Sequence, residues 1–414
     1  MMNPRVKSVG VVAVFAVVVI LGTSTSTHTP ISSRWNYNEH LFPIFRDQCG
    51  TCHNDGGIAP MSLVTYQDAF PWTQSIREEI LGLRMPPWQA EDGFGRFRNG
   101  HALSAEQMDM ILEWSSGGYP QGPRDQAPEP PIVNEEWALG EPNLVGEMGE
   151  SFLFESGSSE TVRFFVLPSP IIDDQIISAV DFQPGARAVI RSASIFFDTS
   201  GAARVLDASD PSPGFAETVT SDFPESPPAA VWVPGQVPVS LDNVGHVVSA
   251  GTDIVLRVHY KKTWITEGQE FSDQSRVGFY FSDNESDQID SLLIESPTST
   301  DGSELIFTHE VSASSTLLSL LPEVDIAASE LQVTAVKPDG QRIPMLWLRE
   351  PDSGWLTRFW LQDPVNAPSG TTLETRVVLE PGATYSPTTS ILGKAPSSPV
   401  RFSLGYVDGQ VNAN

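Results

Sequence analysis

The hydrophobic positions of this chain change period once. Between about residues 31 and 125 they recur every three or four residues, the spacing of a helix face, whereas from about 135 onward they alternate or cluster in short β-branched runs. In the first stretch, Pro43 can open a short helix whose apolar side is Leu41, Ile44 and Phe45. A second helix is predicted from about Pro71 to Leu83, with Trp72, Ile76 and Ile80 on one face. The third is the best marked. Ser104 and Gln107 form a capping box, Leu103 and Met108 can staple around it, and Gly117-Gly118 ends it.

The second stretch reads as strands. Thr161–Val166, Ile176–Val180, Ile254–Tyr260 and Leu331–Val336 are separated by turn signals such as Lys337-Pro338-Asp339-Gly340. Many short strands with frequent turns predict antiparallel β-sandwiches, and there is chain enough for two, joined near Asn284 to Thr300. Pro120 to Pro131 is rich in proline and polar residues and reads as a semi-rigid linker. The expected division is 1–27 leader, 31–125 helical unit, 126–134 linker, 135–290 first sandwich and 291–414 second sandwich.

Composition narrows the function classes. With 52 acidic residues against 24 Lys+Arg, the formal charge is -28, which disfavours nucleic acid and anionic membrane surfaces as partners. Such a charge solubilises, and it can also steer a basic redox partner. At the N-terminus, Arg5 and Lys7 precede an apolar run from Val9 to Gly22 and then Thr23-Ser24-Thr25-Ser26-Thr27. This is the form of an export signal, and the run is shorter than the roughly 18 residues of a spanning helix. No A-x-A cleavage site follows, so an uncleaved inner-membrane anchor stays open beside cleavage. Either way the expected location is periplasmic or otherwise exported.

The chemistry centres on Cys49-Gly50-Thr51-Cys52-His53, which holds both cysteines of the chain. This is the spacing of covalent haem c attachment, with each thiol adding to a vinyl group and the histidine ligating the iron. Zinc would want four ligands, and a thioredoxin-like pair would want a strand-to-helix turn. In Arg84-Met85-Pro86-Pro87-Trp88 the prolines keep Met85 out of helix, making it the candidate second iron ligand, with Met61 and His101 as rivals. The expected cofactor-binding set is therefore Cys49, Cys52, His53 and Met85, with His53 and Met85 on the metal. An open sixth position is the remaining alternative.

Gly57-Ile58-Ala59-Pro60-Met61, Met85-Pro86-Pro87-Trp88 and Leu103-Ser104-Ala105-Glu106 resemble the cytochrome c module that bacteria fuse to copper type II, ascorbate-dependent monooxygenase-like domains. Phe182-Gln183-Pro184-Gly185-Ala186-Arg187, Trp232-Val233-Pro234-Gly235 and Val258-His259-Tyr260 extend the likeness to the larger part. The resemblance implies a small all-α class-I-like cytochrome c domain followed by two all-β antiparallel jelly-roll sandwiches. The family's paired histidine ligands fall here on Arg191-Ser192, its third on His259, and its His-x-His pair on Glu323-Val324-Asp325; Met345 has no support as the methionine ligand. Copper is accordingly expected to be absent, since a lone imidazole facing a guanidinium holds no cupric ion. Glu323 and Asp325 are expected to be solvated acids, and His246 and His309 surface residues. The function expected is single-electron transfer, the sandwiches serving as a docking or structural module; the alternative is a haem-coupled copper monooxygenase hydroxylating an organic substrate.

Overall fold

The structure, a computed structural model, describes residues 32–131, 136–168, 171–217, 223–282, 286–298, 302–352, 354–385, 390–392 and 398–409. The expected leader, parts of the linker and part of the expected join between the sandwiches lie outside the described residues. Among the described residues no helix is long and apolar enough to cross a membrane.

The fold is mostly β, built as sandwich-like sheets with a few short helices. The first pair of sheets comes from residues 144 to 288. One sheet orders its strands Phe215–Ala216, Glu160–Leu167, Asp253–Lys261, Ile190–Asp198 and Ala230–Trp232; the other orders Leu144–Glu147, Arg276–Phe281, Gln175–Gln183, Val244–Val248 and Asp287–Gln288. Their inner faces meet in a core that includes Phe165, Ile177, Phe182, Leu256, Val258 and Phe279. The second pair comes from residues 290 to 408. One sheet runs Asp290–Glu295, Val400–Asp408, Ser315–Val324 and Phe359–Ala367, and the other Glu304–Val311, Thr371–Leu379, Ala328–Val336 and Arg342–Arg349.

Burial along two of these strands explains how the pairs stack. Thr371–Leu379 alternates buried and half-buried positions, as a strand with one covered face must. Ser315–Val324 is buried at every position. Its inward side chains, Leu317 and Leu320 among them, fill the second core, while Leu318 and Leu321 face the first sandwich, against Leu241, Val244 and Val231. A strand covered on both faces reads as a continuous apolar run, here Leu317-Leu318-Ser319-Leu320-Leu321.

The helices between Tyr37 and Ser116 gather on a core of their own, with Tyr37, Leu41, Phe45, Ile80, Ile111 and Trp114 at its centre. The third predicted helix is present as Ala105–Ser116 with both capping-box hydrogen bonds formed. The second runs Thr73–Leu81 behind a short turn at Phe70–Trp72, and ends earlier than expected because Gly82 caps it and Leu83 turns left-handed at φ 54°. A separate all-α domain is not shown. After Met85 the chain leaves the helices as an arm that pairs with both sheets of the second sandwich. Ala90 bridges to Leu348 and Phe97 to Leu361, with Glu91 N–H donating to the Trp347 carbonyl and Arg98 N–H to that of Trp360. Trp88 and Phe97 pack on Phe359. The arm thereby covers two open sheet edges whose backbone groups would otherwise need water.

Candidate functional site

The Cys49–His53 segment follows the turn Phe45–Cys49 and folds back on itself. Cys52 and His53 N–H both donate to the Cys49 carbonyl, at 3.1 and 2.8 Å, and Asn54 Nδ2 donates to the carbonyls of Gly50 and Thr51. Gly50 and Gly57 are required by close approach: a Cβ would stand 2.6 Å from the Arg46 oxygen at the first and 2.4 Å from the Cys52 oxygen at the second. Cys49, Cys52 and His53 are thus brought together in one compact turn.

His53 is 9 % exposed, and its Nδ1 lies 3.1 Å from the Met61 carbonyl. That bond assigns the ring proton to Nδ1 and leaves Nε2 as the free lone pair, the arrangement of a ligating histidine oriented by a backbone acceptor. Both cysteines are free thiols. Burial pushes Cys49 up to about 12, the nearby Cys52 adding to it. Burial likewise pushes Cys52 up to about 11, against the Thr51 hydroxyl and the cations of Arg187 and Arg191. Redox dithiols sit in the opposite, thiolate-stabilising environment. The donor set fits a covalent haem: two neutral thiols three residues apart and an adjacent oriented imidazole. The buried Oε1 of Gln48 and Oδ1 of Asn54 are polar atoms beside the motif with no hydrogen-bond partner among the described residues.

The other candidates are placed differently. Met85 is 41 % exposed on the turn that begins the arm, with a cis bond to Pro86. Met61 packs against the helical core and contributes its carbonyl to His53, and His101 Nε2 lies 3.2 Å from the Gln48 carbonyl. Trp72 and Trp88 fill the helical and second-sandwich cores respectively.

Sequence reasoning missed the sandwich residues that face the motif. Gly235, at φ 86°, belongs to the turn after Ala230–Trp232, and its missing side chain would lie 3.1 Å from Thr51 Oγ1 and 3.4 Å from Cys52 Sγ. Arg187 and Arg191 reach the same thiol electrostatically. No local sequence signal announces a contact between residues nearly two hundred apart.

Arg191-Ser192 and His259 lie on neighbouring strands. Ser192 pairs with His259 across the sheet, next to a register shift that accommodates Arg191. His259 Nε2 bonds Glu160 Oε1 at 2.7 Å, and Lys261 meets the same carboxylate at 2.9 Å. Burial lowers the His259 pKa against the pull of Glu160. The expectation of solvated acids at Glu323 and Asp325 is corrected: both lie against the buried Arg401 guanidinium. His246 is not a surface residue either: it is half-buried beside Arg358 and Trp360, where burial depresses it to about 4. Met345 is a core residue of the second sandwich. Among the described residues no group of three or more His, Cys, Asp or Glu side chains is placed to hold a metal ion.

No family model and no curated protein matches this chain. Solved structures similar to it include the STIV MCP, at 10 % identity and TM-score 0.24 over 64 % of this chain and 96 % of that one. The major capsid protein P2 from Bacteriophage PM2 is similar at 6 % identity and TM-score 0.25, over 62 % and 99 %. A Paenibacillus xanthan lyase is similar at 11 % identity and TM-score 0.18, over 68 % and 27 %. At TM-scores this low the likeness bears on no functional reading. The resemblance to a cytochrome c module fused to copper monooxygenase domains is corrected, since no family model of that kind matches the chain, and with it the terms cytochrome c and monooxygenase-like as descriptions of class. The comparisons return viral jelly-roll capsid proteins instead, on a chain that is mostly β with a few short helices. On the side of the sandwiches the physical reason is that the likeness rested on short segments such as Phe182-Gln183-Pro184-Gly185 and Trp232-Val233-Pro234-Gly235, Pro-Gly turns that antiparallel sheets of any lineage use.

Proposed function

We propose that this chain is an exported single-electron carrier with one haem bound covalently through Cys49 and Cys52 and ligated by His53. The observation that carries the reading is the His53 ring, buried next in sequence to two free thiols and tied by Nδ1 to the Met61 carbonyl. Met85 is proposed as the second ligand, because the prolines after it hold it out of helix on the turn leaving the helical unit. When bound, the haem supplies a one-electron couple whose potential follows its axial ligands and burial. The chain's own residues do the rest. Met61 orients the imidazole, Asn54 and Gly57 close the turn, and Gly235 lets the first sandwich press directly on Thr51 and Cys52. The sandwiches act as scaffold and docking module, and the net charge of -28 favours a basic redox partner.

The test is to express the full chain in an exporting host with a haem-ligation system. The expected product carries one haem by mass and shows the pyridine haemochrome band of a thioether-linked haem, while Cys49→Ala and Cys52→Ala lose one linkage each. Colourless protein of unmodified mass would overturn the reading. Carbon monoxide binding by the reduced wild type at neutral pH would remove Met85 from the ligand set.

A further inference from the structure

Among the described residues four arginines are no more than 8 % exposed. Arg163 faces Asp210 at 3.1 Å, Arg257 faces Glu217 at 2.7 Å, and Arg401 is paired with Glu323. Arg358, 2 % exposed, has no carboxylate partner among the described residues. Its Nη2 donates to the Pro228 carbonyl at 2.6 Å, its Nη1 reaches Ser319 Oγ only at 3.4 Å, and its Nε is buried with no partner. Its guanidinium carbon lies 5.7 Å from the Trp360 ring. Burial lowers its pKa, to about 10. A guanidinium stays protonated at neutral pH, and a buried charge persists only when something neutralises it.

Beside this cation lies a cavity of about 40 Å³ between the two sandwiches. Its polar lining is Ser178, Gln236 and His246 from the first and Arg358 from the second, the remainder being apolar side chains and Trp360. The Gln236 amide has a buried Oε1 without a partner, and turning that group over presents its NH₂ at the same position. The acid of the adjoining recess, Asp181, is committed to the Ala138 N–H at 2.8 Å. The volume exceeds the roughly 10–15 Å³ that one water needs, so a monatomic ion with a water fits.

We propose that this cavity is a binding site for a small monovalent anion of halide size, with Arg358 as its principal ligand and the Gln236 amide as a second. An ion there is the missing counter-charge, and it ties the strand Phe359–Ala367 of the second sandwich to the first. Nothing in this assignment depends on the haem.

The probe is bromide against gluconate at constant ionic strength, on the full-length protein. The unfolding equilibrium constant should fall roughly tenfold for each tenfold rise of bromide above its Kd, read as a rising Tm, with no response to gluconate. Crystals grown in sodium bromide should show an anomalous peak within hydrogen-bond reach of the Arg358 guanidinium. Arg358→Met should abolish the bromide dependence, and Gln236→Leu, which keeps the buried cation, should weaken bromide binding several-fold if the first variant does not fold. A Tm indifferent to bromide in the wild type, or a cavity holding only water in bromide-grown crystals, would overturn the assignment.

Discussion

Replacing Glu323 by leucine should destabilise the second sandwich more than any single truncation of its apolar core edge. Glu323 is 4 % exposed and its carboxylate accepts from Ser390 Oγ at 2.6 Å, from Ile391 N–H at 3.0 Å and from Arg401 Nη2. The leucine leaves the Arg401 guanidinium, itself 1 % exposed, with Asp325 at 3.5 Å as its remaining acid and strips the acceptor from a buried N–H and a hydroxyl. Breaking one side of a buried pair in this way costs about 3–5 kcal/mol. Asp325 keeps the loss from exceeding that range. With an urea m-value on the order of 2 kcal/mol/M, the midpoint should fall by about 2 M. The double variant Glu323→Leu/Arg401→Met removes both charges and should recover at least about half of the loss, since apolar replacement of a whole buried pair is close to neutral. Urea unfolding followed by tryptophan fluorescence reads all three chains, Trp347 and Trp360 lying in this sandwich. A single variant within about 1 kcal/mol of wild type, or a double variant no better than the single, would refute the reasoning.

Other substitutions test other parts of the fold. Burial works against the Asp198 carboxylate, but hydrogen bonds from the Ser200 hydroxyl and the N–H groups of Ala203, Ser200 and Gly201 outweigh it and lower the pKa. Its stabilisation is therefore present above the unfolded value of about 3.9 and lost as pH falls through the folded value. Asp198→Asn should cost about 1–2 kcal/mol at pH 7, and denaturant titrations in acid should show that gap closing. Trp88→Ala should cost about 2 kcal/mol, less than a fully buried tryptophan, and hydrogen exchange should rise at the Glu91 and Arg98 amides, which donate to the sheets where the arm pairs with them. Gly214→Ala should destabilise by more than about 1 kcal/mol in thermal unfolding, because φ is 68° and the new Cβ would stand 2.3 Å from the Phe164 oxygen. Gly235→Val should lower haem per mole of protein in the absorbance spectrum, since the side chain would press on Cys52 Sγ.

What could be read from the chain alone was what neighbouring residues decide among themselves. The capping box of Ser104 and Gln107, the compact Cys49–His53 turn and the change from helical to strand periodicity each depend on groups a few residues apart, and local geometry is enough to place them. The turn sequences were legible as turns for the same reason, and misleading as markers of ancestry, because their residues answer to backbone dihedrals and not to lineage. Alternation on a strand says which side chains share a face; it is silent on what covers that face. Nothing in Glu323-Val324-Asp325 announces a partner, and only the packing of Val400–Asp408 beside Ser315–Val324 brings Arg401 to both acids. His246 and Arg358 meet the same limit, since their burial comes from one sandwich stacking on the other. Contacts such as Gly235 with Cys52, and the arm that leaves the helices for the far sandwich, join residues separated by long stretches of chain. They were decided by tertiary structure because the free energy of such contacts is gained only once the whole assembly excludes water, and no short window of sequence carries that sum.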